Sequence, residues 1–361
     1  MSSDNAARPL RFRKGRGAAS NPANRFESRY SDAFDDGWGT ADAEPPALRT
    51  TVTEDRARTI INYNSSPDIP FDRSINPYRG CEHGCIYCYA RPSHAFIGLS
   101  PGLDFESRIL RKANAAKLLR GELDKPSYRC QPIALGVNTD AWQPVERKMG
   151  ITREILEVLA EYRHPVYTLS KSSLIERDAE ILATMASDRL ASVAISITTF
   201  DRQLARRLEP RATAPQRRLE TIRRLSGMGI PVGVQVAPIL PVLTDAELES
   251  ILEAARDAGA TWASYVMLRL PLEIADLFKE WLSEHYPLKS DHVMSIVRDM
   301  RQGRENDSQL GQRMRGTGVF ADLIARRFDL ARKRLGLANA PEPLDCQRFR
   351  PSRGGQLSLF E

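Results

Sequence analysis

Cysteine is scarce in this chain of 361 residues, with five in all. So low and odd a count excludes a disulfide framework and, in a reducing compartment, leaves clustered thiols free to ligate metal. Long apolar runs are also lacking. No stretch approaches the roughly 20 residues needed to span a bilayer, and the opening MSSDNAARPLRFRKGRG has charge but no apolar core for a signal peptide. No internal repeat and no recognisable nucleic-acid-binding module stands out. With 42% hydrophobic residues and a mean hydropathy of -0.40, the chain reads as globular, cytoplasmic and long enough for one large core or two modest ones.

What is present begins with charge. A formal charge of +6 and an isoelectric point near 9.1 are compatible with an anionic partner, though many ordinary enzymes are as basic. Residues 1–55 are rich in Ser, Asn, Gly, Pro and Arg without sustained periodicity, which predicts an unfolded leader. Its basic block of Arg11, Arg13, Lys14 and Arg16 suits either phosphate contact or a solvated tail.

From about residue 72, short apolar runs alternate with amphipathic stretches. The runs PIALGVN, PVYTLS, ASVAISI, PVGVQVAPI and WASYVML have the length and density of buried parallel strands, and RSINPYRG supplies a first strand. REILEVLAEYR, SLIERDAEILATM, APQRRLETIRRLSGMG and TDAELESILEAARDAG read as helices between them. Thr244 and Asp245 stand where an N-cap belongs, and Gly227, Gly229 and Gly259 close helices. Six strand-helix units are fewer than the eight of a closed barrel, so the expectation is an α/β fold with an open, partial parallel barrel. Residues 286–345 turn basic and helical, and residues 346–361 form a flexible tail.

Three of the five cysteines, Cys81, Cys85 and Cys88, lie in RGCEHGCIYCYARPSH with the spacing C-x3-C-x2-C. Zinc normally takes four ligands; His83 or His94 is near enough to be the fourth, but no second cysteine pair supports it. A redox pair would explain Cys85 and Cys88 but not Cys81. An iron-sulfur cubane held by three thiolates leaves one iron open to a small molecule.

On these cysteines and on Tyr87, the aromatic residue before the third, the chain resembles the radical S-adenosylmethionine (SAM) superfamily. NPYRGCEHGCIYCYARPSH, GVNTDAWQPVERK, TLSKSSLIERD, ISITTFD, LEPRATAPQRRLETI and VAPILP look like the branch of spore photoproduct lyase and photolyase-like relatives. The resemblance implies a partial barrel, a 4Fe-4S cluster, bound SAM, an external electron donor and cleavage of SAM to a 5′-deoxyadenosyl radical. Structural or redox-sensing metal in a DNA-associated protein, and radical chemistry on RNA, a peptide or a small metabolite, are the alternatives.

Barrel chemistry gathers at the carboxyl ends of strands. Asn138, Thr139 and Asp140 end the second strand, Ser170 and Lys171 the third, Ser196, Thr198 and Thr199 the fourth, and Arg269 the sixth. By resemblance, Thr139 and Asp140 stand where the superfamily's Gly-Gly-Glu motif, absent here, receives the methionine amino group. Lys171 or Arg269 would hold the methionine carboxylate and Ser196 the ribose. Alternatively, Asp140 caps a turn, Ser170 caps the next helix, and Arg269 is a surface residue. Glu146 and Glu209 suit internal ion pairs or the site, and His83 and His94 face either the cluster loop or solvent. Cys130 precedes the second strand, at the wrong end of the barrel for a hydrogen donor, and Cys346 lies outside the core. The terminal Gln356, Leu357, Leu359 and Phe360 resemble a bacterial sliding-clamp-binding peptide on a flexible lead. With the basic C-terminal helices and the photolyase-like branch, this tail makes DNA, damaged or unpaired, the expected substrate.

Overall fold

A computed structural model describes residues 13–27 and 48–351. Largely buried segments form six parallel strands: β1 (Arg73–Ile75), β2 (Ile133–Leu135), β3 (Val166–Ser170), β4 (Ala191–Ser196), β5 (Val232–Ile239) and β6 (Trp262–Met267). They stand side by side in chain order, with Leu169 opposite Ala194 and Ser196 opposite Gln235. A doubly wound sheet reverses its order part-way; this one does not, and its two ends do not pair. The fold is therefore the expected open, partial barrel of six units. An additional antiparallel strand, Ile61–Tyr63, borders β1.

Helices pack outside, in the four segments the sequence marked and at Ala115–Leu123, which it did not. Between the strands run α1 (Ala115–Leu123), α2 (Ile151–Glu161), α3 (Ala179–Ser187), α4 (Pro215–Gly227) and α5 (Leu248–Asp257). Helix α2 shows the logic: Ile151, Ile155, Leu156, Val158 and Leu159 bury one stripe against the sheet. Gly259, at φ +104°, makes the turn from α5 toward β6. Thr244 does not cap α5 with its side chain: its hydroxyl accepts from Leu240 N at 2.9 Å, because the preceding loop folds back on it.

Two features lay outside the sequence expectation. Thr51–Glu54, Arg108–Arg111 and Tyr78–Arg79 form a second, three-stranded sheet at the entry to the cysteine loop. Residues 13–27, inside the stretch expected to be an unfolded leader, pack on that loop: Arg16 is buried and Gly17 N and Ala18 N donate to Glu106 at 2.9 Å. Buried partners hold them there, which composition does not reveal.

The core ends in α6 (Ile274–His285), and α7 (Pro287–Asp299) and α8 (Val319–Arg334) lie in the stretch 286–345 where a helical extension was expected. That stretch covers the free edge of β6, since Met267 N donates to Met314 O and Ala263 N to Ala338 O, both at 2.9 Å. Among the described residues no helix is long and apolar enough to cross a membrane. Arg11 and the tail residues Gln356, Leu357, Leu359 and Phe360 lie outside the described residues.

Candidate active site

The cysteine loop leaves the small sheet at Gly80 and crosses the carboxyl ends of the strands. Its backbone is pinned from several directions. Cys81 N donates to Phe105 O at 2.9 Å, Ile86 N to Leu208 O at 3.0 Å, and Arg211 N to His83 O at 3.2 Å. Arg91, wholly buried, donates to the carbonyls of Gly84, Cys85, Pro101 and Gly102 and pairs with buried Glu106. Gly84 takes φ +67°, and a Cβ there would stand 2.7 Å from a Glu106 carboxylate oxygen. No side chain fits at that turn.

Cys81 and Cys85 are buried and Cys88 half-buried, and all three thiols are free. Burial pushes each thiol up; at Cys81 the neighbouring Asp140 and the Cys85 and Cys88 thiols add to it. Such a group resists ionising together unless a cation compensates. Among the described residues no three His, Cys, Asp or Glu side chains converge on a single ion position. Three thiols on one loop are a donor set of the kind an iron-sulfur cluster takes, one thiolate per iron.

Neither histidine faces solvent; of the two settings the sequence left open, both take the buried one. His83 Nδ1 lies 3.4 Å from Asp140 Oδ2, and burial lowers its pKa. His94 Nε2 meets Arg108 O at 3.1 Å and its ring edges onto Phe105 at 5.2 Å. Both are closed in by the residues that fold the loop.

Next to the thiols, the ends of β3, β4 and β5 carry a polar network. Lys171 Nζ donates to Ser196 Oγ (2.6 Å), Thr198 Oγ1 (3.3 Å) and Ala237 O (3.1 Å), and pairs with Glu209 at 3.2 Å. Glu209 also accepts from Tyr87, Arg218 and Thr198. Burial by itself would raise the Glu209 carboxyl; Arg218 and Lys171 outweigh it and hold the group well below the usual carboxylate range. Asp140 accepts from Ser170 Oγ at 2.9 Å and from the amides of Lys171 and Trp142. It does cap its turn, but Ser170 caps no helix: Ser172 accepts from Leu174 N instead.

The remaining candidates scatter. Asn138 N and Thr139 N donate to Asn76, while the Thr139 hydroxyl is spent on Tyr78 O at 3.0 Å. Thr199 accompanies Glu247 at 2.9 Å. Glu146 is an internal partner of Tyr78 and Arg177. Arg269 is half-buried: its Nε is closed off from solvent, and burial, with Arg313 beside it, lowers its pKa. Cys130 and Cys346 come within hydrogen-bonding reach of each other at the amino end of β2, far from the triad. Sequence reasoning missed Arg91, Glu106 and Arg218, since the charged pairs they form join separate segments.

Residues 75–255 match the Radical SAM superfamily model, half of the chain. The chain belongs to the radical SAM superfamily. Members of that superfamily use a 4Fe-4S cluster and S-adenosylmethionine. An uncharacterized protein of Mycobacterium tuberculosis is 38% identical over 221 residues, covering 61% of this chain and 65% of the relative. The match thus spans less than two thirds of that mycobacterial protein. An uncharacterized protein of Methanocaldococcus jannaschii is 27% identical over 232 residues, covering 64% of this chain and 82% of its own. A solved spore photoproduct lyase shares the fold, with a TM-score of 0.59, 12% identity and 80% of each chain covered.

Proposed function

We propose that Cys81, Cys85 and Cys88 hold the 4Fe-4S cluster and that the enzyme acts on damaged DNA. The observation that carries the cofactor site is the junction of the thiol triad with the Tyr87–Glu209–Lys171–Ser196–Thr198 network, which sets acceptors, hydroxyls and a cation beside the thiols that would hold the cluster. When bound, the cluster supplies an electron, from an external donor, that cleaves SAM to a 5′-deoxyadenosyl radical.

The chain's own residues bind and orient. Lys171 is the cation available to the methionine carboxylate, Ser196 and Thr198 offer hydroxyls to the ribose, and Asp140, with Ser170, Asn138 and Thr139 around it, is the acceptor nearest the thiols for the methionine amino group. Tyr87 holds Glu209 in place. DNA is supported by the shared fold with spore photoproduct lyase, solved with a dinucleoside spore photoproduct, and by the basic extension. We assign residues 60–285 to the radical core, 286–345 to the helical extension and 346–361 to a tail whose Gln356, Leu357, Leu359 and Phe360 bind a bacterial sliding clamp. Free thiols throughout the described residues suit a cytoplasmic setting, which cell fractionation checks.

The deciding experiment is 5′-deoxyadenosine formation by anaerobically reconstituted protein with SAM and a strong reductant. Wild type yields product and Cys85→Ala yields none. Equal product from both would reject the cluster assignment. For the tail, a peptide of the last residues binds sliding clamp in a titration, and Leu359→Ala with Phe360→Ala abolishes it; a peptide that does not bind rejects the partner.

A further inference from the structure

The carboxyl end of β6 carries more cation than anion. Arg269, two residues past β6, donates through Nη1 to Met314 Sδ at 3.3 Å and makes no ion pair among the described residues; its Nε is buried without a partner. Arg301, wholly buried, spends its Nη groups on the carbonyls of Gln312, Arg313 and Leu268, and its Nε is unpartnered too. Arg313 is held by Asp68 through Nε at 2.7 Å and Nη2 at 2.5 Å. Among these three guanidinium groups one carboxylate, Asp68, is in contact. A withdrawn cation with donors to spare calls for an anion.

Position says which. From the cysteine loop, the neighbour of Arg269 is Tyr89, the residue after Cys88, whose ring is half exposed. The arginines therefore border the mouth of the site on the side of β6 and the basic extension, apart from the Lys171 pocket on β3, β4 and β5. Guanidinium forks match a phosphate's oxygens, and an exposed ring beside them suits an unstacked base.

We propose that Arg269, backed by Arg301 and Arg313, binds a backbone phosphate of a single-stranded or unstacked DNA substrate entering over β6. The inference rests on the DNA reading above and names the side from which the strand enters.

The test uses the full-length, cluster-loaded protein and a fluorescently labelled oligothymidylate, with anisotropy measured over a salt series. Arg269→Gln weakens binding roughly tenfold at low salt and makes the slope of log K against log salt shallower by about 0.7. Arg269→Lys, which keeps the charge, restores the slope, and Arg223→Gln on the exposed face of α4 leaves it unchanged. SAM affinity by equilibrium dialysis stays within about twofold in all of them. Lost SAM affinity with an unchanged slope would assign Arg269 to the methionine carboxylate and overturn the proposal. So would Arg269→Gln and Arg223→Gln changing the slope equally. A wild-type protein that cleaves SAM but ignores the oligonucleotide would sink the DNA reading and leave the radical chemistry standing.

Discussion

Glu209 is one carboxylate serving two cations and two hydroxyls in a site closed to water. Removing its charge leaves Arg218, whose other bonds run to the carbonyls of Thr213 and Ser196, and Lys171 without a counter-ion. Breaking such a buried pair costs about 3–5 kcal/mol, so Glu209→Gln should lower the urea midpoint markedly at neutral pH. The folded carboxyl is depressed, so its stabilisation is present above the ordinary carboxylate pKa and is lost only as pH falls toward the depressed value. A wild-type-minus-variant difference that collapses between pH 7 and 5 would contradict this. The sequence flagged Glu209 as a charge in a family-like segment; it did not reveal its partners. Tyr87, Lys171, Thr198 and Arg218 come from four places in the chain and meet only across the strand ends.

At the scale of elements, the segment 13–27 behaves as a strap on the cysteine loop. A Cβ on Gly17 would stand 1.9 Å from Gly84 O, and one on Gly102 would stand 2.2 Å from Ser20 O. Backbone meets backbone here, with no flexible side chain to yield. Gly17→Ala should therefore lift the strap, freeing Gly17 N and Ala18 N from Glu106. Limited proteolysis is expected to cut within residues 13–27 several-fold faster in the variant, with the 60–285 core resisting as before. Equal cutting rates would show that the strap is not held where Gly17 passes Gly84. The strands and helices of the core were legible because period and punctuation are local. The strap was not, because its mix of small, basic and amide residues is that of a solvated tail and its order comes from Glu106 and Arg91.

Over the whole molecule, two histidines tie stability to pH from opposite ends of the barrel. His94 packs under the cysteine loop, and His164 lies at the amino ends of the strands, its Nε2 2.7 Å from Tyr128 OH and its ring edging onto Phe349. Burial lowers both to about 4. The unfolded chain binds these protons near the ordinary histidine value of about 6.5, so between the two values the unfolded state carries more protons and stability rises with pH. The stabilisation is complete above about 6.5 and is lost toward 4, on the order of 2 kcal/mol per histidine at pH 5. A denaturant series should show the fall, and His164→Gln should remove about half of this part of it; a flat profile from pH 7 to 5 would refute it. What the sequence by itself determined is what local spacing encodes: the thiol triad, the six strand-helix units and the polar strand ends, since each depends on residues a few positions apart. Tertiary structure decided which of those polar residues stand together, that the Arg91–Glu106 pair and the strap clamp the loop, and that Arg269 makes no ion pair among the described residues. Those are balances of burial and charge between segments that meet only when the barrel closes around them.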